Sequence, residues 1–181
     1  MIILGIDPGT ATIGVGVVEC KEEKLSPVFS GWIETSKDEE TGNRLCYIHD
    51  QVKTLIQTHK PDILAIERLF FFMNHRTAMS VSESIGVIKM AASSEGLEVV
   101  SLVPKEIKLI VSGDGRADKT IMKKAVRNIL GVRSPKKKKT HFDDLADALA
   151  VAICYARKYV IKSEKEDKPK RKGVNKKSGR L

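Results

Sequence analysis

Cysteine is scarce and irregular in this chain: Cys20, Cys46 and Cys154 show no CxxC pair and no regular spacing. That excludes a disulfide framework, which needs an even and ordered set, and a zinc site, which needs clustered thiolates or imidazoles. Free, buried thiols in a reducing cytoplasm are expected. No apolar run approaches the ~20 residues of a membrane-spanning helix, so no membrane partner is expected. The apolar opening MIILGI is too short for a signal peptide and leads straight into Asp7-Pro8-Gly9. There is no internal repeat, which argues against a solenoid or propeller.

What is present is a 181-residue chain with 41% hydrophobic residues, enough to bury the core of one α/β domain. The formal charge is +9, which points to a polyanionic partner. Residues 162–181 hold nine Lys/Arg against three acids, so most of the excess sits in a tail of Lys, Glu, Gly, Ser and Pro. A tail with almost no apolar residues is expected to be disordered. The domain is therefore placed at 1–161 and the basic tail at 162–181.

The apolar, β-branched stretches MIILGID and TIGVGVVEC, split by the turn Pro8-Gly9-Thr10, read as a strand hairpin, and PVFSGWIET as a third strand. Leu45, Ile48, Val52, Leu55 and Ile56 recur at helical spacing between Thr41 and His59, and Pro61 closes that helix. ILAIE is a short buried strand ending at Glu67. Residues 76–95 read as a helix with Met79, Ser82, Gly86 and Met90 on one face. LEVVSLV is a further strand, Pro104 opens a short helix, and a longer one runs from Asp118 to Leu130, stopped by Gly131. A last helix spans 141–161. Three strands in a meander followed by strand–helix alternation give a mixed five-stranded sheet with flanking helices. If the first and fourth strands are parallel neighbours, their C-terminal ends form the edge where open α/β sheets place their sites.

Asp7 and Glu67 each end an apolar strand, at the rim of a core, where an unpaired charge is costly. Taken singly, each is as readily a cap or an ion-pair member. Asp144 and Asp147, three apart, share a face of the last helix. Asp147 stands inside the apolar stretch ADALAVAI, which no surface role explains well, whereas Asp143 and Asp144 also suit a helix start, with Thr140 and Asp143 spaced like a capping box. Carboxylates converging from two strand ends and a helix make a hard oxygen site suited to Mg²⁺ or Mn²⁺, the charge that phosphodiester hydrolysis requires.

These residues carry a resemblance. LGIDPGTATIGVGVV, GNRL at 42–45, PDILAIERLF and DDLADALAVAI, in that order over residues 1–160, resemble the RuvC family of crossover junction endodeoxyribonucleases. The resemblance implies an RNase H-like fold and metal-dependent, paired nicking of four-way DNA junctions in recombination and repair. It implies that Asp7, Glu67, Asp144 and Asp147 are catalytic and hold two Mg²⁺ ions, with Mn²⁺ able to substitute. His141 is an outside candidate ligand or proton shuttle. Lys108 in KEIKLIV and Lys119 in GRADKTI match phosphate-contacting lysines; apart from the resemblance both would be ordinary solvated charges. Phe70 matches an aromatic inserted at the junction centre. The triplet Phe70-Phe71-Phe72 departs from the expected single ring and leaves open which one stacks. A homodimer with its interface near 76–95, and the branch-migration proteins RuvA and RuvB as partners, are implied in the same way.

Two other classes compete. IDPGT also resembles the phosphate-binding opening of actin-like ATPases and sugar kinases, but those need a second domain with its own Asp-Gly loop, for which 181 residues leave no room. A non-catalytic nucleic-acid binder would not keep four carboxylates beside a phosphate backbone without metals between them.

Overall fold

The computed structural model of the chain describes residues 1–9, 11–69, 75–132 and 142–161, with side chains at 75–77 and 142–144 outside the description. Five strands form one sheet: β1 (Ile2–Asp7), β2 (Thr12–Lys21), β3 (Lys24–Glu34), β4 (Ile63–Glu67) and β5 (Val99–Leu102). Their order is β3-β2-β1-β4-β5. The first three are antiparallel, while β1–β4 and β4–β5 are parallel. This is the RNase H-like mixed sheet expected, and it makes β1 and β4 neighbours whose C-terminal ends coincide.

Helices α1 (Thr41–His59) and α2 (His75–Ser94) cover one face. There Ile48, Val52 and Ile56 of α1 meet Leu4, Ile6 and Ile66 of the sheet. On the other face lie α3 (Pro104–Ser112), α4 (Lys119–Leu130) and α5 (Phe142–Tyr155), which runs on into a π-helical turn at Ala156–Ile161. Val18, Cys20 and Ala65 point to that side and pack with Ile107, Val126 and Ile153. The central strands are sandwiched, so they read as continuous apolar runs rather than as alternation.

Start and stop signals hold well. Pro104 opens α3, Asp118 caps α4 by accepting a hydrogen bond from the Ile121 backbone N–H at 2.9 Å, and Gly131 ends α4 at φ 65°.

Two expectations need correction, and one helix face gains its orientation. β3 begins at Lys24, not Pro27: the hairpin turns on Glu22 and Glu23 alone, both at positive φ, a geometry usually marked by Asn or Gly. Pro27 then lies inside the strand, tolerated because β3 is an edge and a bulge sits opposite Val17 and Val18. Cys46 is exposed on the outer side of α1, while Cys20 and Cys154 are buried. The face of α2 holding Met79, Ser82, Gly86 and Met90 turns outward, with Met79 69% and Met90 59% exposed. Its inward face is Ala78, Val81, Ser84, Ile88, Ala91 and Ala92. The tail, 162–181, lies outside the described residues. No helix among those described is long and apolar enough to cross a membrane.

Candidate active site

The site begins with parity along the strands. Ile3 faces the α5 layer, and an added Cβ on Gly5 would meet the Ala148 carbonyl at 2.4 Å. Asp7, two residues on, faces the same way. On β4, Ile63 and Ala65 face α5, and so does Glu67. The register pairs Gly5 with Ala65 and Ile6 with Ile66, which sets Asp7 beside Glu67, about 4.8 Å apart along the backbone. The chain leaves both strands under restraint. The Arg68 backbone N–H bonds to the Leu102 carbonyl at 2.8 Å. Beyond the β1–β2 turn, the Thr35 N–H bonds to the Ala11 carbonyl at 2.9 Å, and Arg44 Nε donates to Thr35 Oγ1 at 3.1 Å. Arg44, from the GNRL motif, thus braces the loop after Asp7.

Helix α5 brings the third acid. Its close seat on the sheet depends on glycine: at Gly16 an added Cβ would lie 2.8 Å from the Leu149 backbone N, and at Gly5 2.9 Å from the Ala152 Cβ. The two strand glycines stand opposite α5 and were not singled out in the sequence. Glycine inside a strand is the signal that could have found them. So seated, α5 presents Asp147 over the strand ends.

Glu67, Asp147, Lys108 and Lys119 line one cleft of about 180 Å³, closed by Pro104, Ile107, Met122 and Ala150. Lys119 Nζ lies 3.8 Å from Asp147 Oδ2. Lys119 is the first residue of α4, where a cation opposes the helix dipole. Helix stability does not explain that placement, but facing the Asp147 carboxylate does.

Burial pushes the Glu67 carboxyl up to about 6, and the Asp147 charge adds to the rise. A side-chain hydrogen bond with Asp7 and the charges of Lys108 and Lys119 act against it. Burial first, and the Asp147 charge second, thus make Glu67 resist ionisation, the mark of a site suited to receive positive charge. The donors are all hard oxygens. Among the described residues no group of three or more His, Cys, Asp or Glu forms a metal cage. Asp144 stands one turn before Asp147 in α5, but its side chain, like that of Asp143, lies outside the described residues, as do His141 and Phe70. The structure therefore joins Asp7, Glu67, Asp147, Lys108 and Lys119, and leaves Asp144 and Phe70 untested.

Residues 3–155 match the family model for the crossover junction endodeoxyribonuclease RuvC. RuvC of Moorella thermoacetica is 41% identical over 156 residues, covering 86% of this chain and 91% of its own. That of Petrotoga mobilis is 42% identical over 155 residues, covering 86% and 93%. Among solved structures, Thermus thermophilus RuvC in complex with a Holliday junction substrate superposes with a TM-score of 0.78 at 31% identity, covering 87% of this chain and 93% of that one. The yeast mitochondrial resolvase Ydc2, 18% identical with a TM-score of 0.65 over 86% of this chain and 77% of its own, shares the fold. With the motifs in order, the acids at adjoining strand ends and these matches over most of its length, the chain belongs to the RuvC family of crossover junction endodeoxyribonucleases.

Proposed function

We propose that the protein resolves four-way DNA junctions by paired, metal-dependent nicking, with Asp7, Glu67, Asp144 and Asp147 as its catalytic acids. The observation that carries this reading is the meeting of Glu67 and Asp147 in one cleft with Lys108 and Lys119, beside Asp7. Lysines alone would serve a binder, and acids alone would repel a phosphate backbone. Together they suit a phosphate that is gripped from one side and attacked from the other. The four carboxylates would hold Mg²⁺, two ions per site, with Mn²⁺ able to substitute. Bound there, the metal supplies the charge that activates the attacking water and stabilises the leaving 3′ oxygen. Lys108 and Lys119 bind and orient the phosphate. Glu67, raised to about 6, is readied for full ionisation by an arriving cation.

Selectivity for junctions falls to Phe70, or to Phe71 or Phe72 beside it. An aromatic ring gains nothing on stacked duplex bases but covers an exposed base face where pairs are already strained. Two strands must be cut symmetrically, so two copies of one site are needed, and a two-fold dimer provides them. The outward face of α2, with its exposed methionines and the open space over Gly86, is the surface we assign to that contact. RuvA and RuvB are the partners implied by the family.

Asp7→Asn and Glu67→Gln test the site. Each should reduce junction cleavage at least a thousandfold, equivalent to about 4 kcal/mol of barrier, with junction affinity preserved. Full cleavage in either variant rules this site out.

A further inference from the structure

The row of the sheet that carries the site does not end at Asp7. Asp7 pairs with Gly14 of β2, and Gly14 pairs with Trp32 of β3. On β2 the even positions face α5: Gly16 abuts Leu149 and Val18 packs in that core. On β3, Leu25 faces α5 and Ile33 the α1 side, so Trp32 faces α5. Glu67, Asp7, Gly14 and Trp32 thus form one cross-strand row on one face, with Trp32 two strand spacings, about 10 Å, from Asp7. The cleft with Lys108 and Lys119 is lined by α3, α4 and α5 at the Glu67 end of this row; Trp32 lies at its other end, on the edge strand, and is 40% exposed.

We propose that Trp32 is a DNA-contacting residue, packing its indole against a base or sugar of the strand whose phosphate occupies the acid cleft. This rests on the nuclease reading above and extends its binding surface across the N-terminal turn of α5. A strand held by the two lysines at the Glu67 end and leaving over the strand ends toward β3 would pass along this row. An aromatic face is what single-stranded or splayed nucleic acid stacks on, whatever the base. Continuity with the acid row favours nucleic acid over a protein partner for this ring.

Trp32 is the chain's one tryptophan, so its emission reports on this position alone. Wild-type protein is titrated in EDTA with a labelled four-way junction, following label anisotropy and tryptophan emission together. The expected result is quenching of the emission along the same curve as the anisotropy. Trp32→Ala should raise the junction Kd and KM about tenfold, about 1.4 kcal/mol, with kcat within twofold, and Trp32→Phe should recover most of the loss. Binding by anisotropy with unchanged emission overturns the role of Trp32 and leaves the nuclease reading standing. So does an unchanged KM in folded Trp32→Ala, including the case where only a protein partner is lost. No junction binding at all overturns both.

Discussion

The two faces of the sheet are built to different specifications. Toward α1 and α2 the strands offer bulk: Leu4, Ile6, Ile13, Val15, Val17 and Ile66, all fully or nearly fully buried. Toward α5 they offer glycine at positions 5 and 16, and the helix comes down onto the backbone itself. Burial holds both faces together, but only the second fixes a distance. Aliphatic side chains can repack around a lost methyl group, whereas a helix resting on main chain has no such slack. The acids are on the rigid face, where the separation of Asp147 from Glu67 and Asp7 is set by backbone contact.

The sharpest way to break this contrast is a pair of substitutions. Gly5→Ala places a Cβ 2.4 Å from the Ala148 carbonyl, so α5 must rise. A shift of about 1 Å at a catalytic group costs about a hundredfold in rate, and overpacking costs ~1–3 kcal/mol of stability. Val17→Ala, on the opposite face, should destabilise by a comparable ~2 kcal/mol yet keep the wild-type cleavage rate per folded molecule. Melting temperatures and single-turnover cleavage on the same samples decide. Equal activity losses would erase the distinction between the faces.

A smaller effect separates the cleft's cations from the general basic charge. Lys108→Ala and Lys119→Ala should each flatten the slope of log affinity against log salt by about one unit. Unchanged slopes in both would move the phosphate elsewhere.

The smallest effect is thermodynamic. Glu67 titrates near 6 in the folded chain against 4.5 ordinarily. Its raised value means that the folded state holds the proton more tightly. The contribution to stability is full below about 4.5 and is lost as pH rises through about 6, roughly 2 kcal/mol in all. In EDTA, Glu67→Gln should therefore melt higher than wild type at pH 8, and the gap should close by pH 4.5. A gap that does not change with pH would mean that burial and the Asp147 charge are not acting on this carboxyl.

Much of this was legible in the sequence because sandwiched strands are apolar throughout, so the acids that end them stand out. Asp7 after IILGI, Glu67 after ILAI and Asp147 within a run of alanines are breaks in pattern. Element order pointed to a mixed sheet with a parallel second half and left the pairing of β1 with β4 as a condition, which the structure meets. What escaped depends on contacts between distant segments. Apart from the family resemblance, which named them, Lys108 and Lys119 look solvated until α3 and α4 fold over the strand ends. The row from Glu67 to Trp32 requires the register of four strands. The start of β3 was misplaced because Glu22 and Glu23 adopt a turn their residue types do not advertise. The methionines of α2 carry helical spacing but nothing in that spacing says which side of the helix faces out.

Carboxylates at the ends of β1 and β4 and on α5 are expected to cut DNA at four-way junctions with the help of a divalent metal. Incubating the protein with a synthetic four-way junction, a linear duplex of the same sequence and an RNA–DNA hybrid, each with and without Mg²⁺, tests it most directly. Symmetric nicks in two opposing strands of the junction are expected, only with Mg²⁺, with no comparable cutting of duplex or hybrid. Cutting that persists in EDTA, or that is as fast on duplex or hybrid as on the junction, would contradict it.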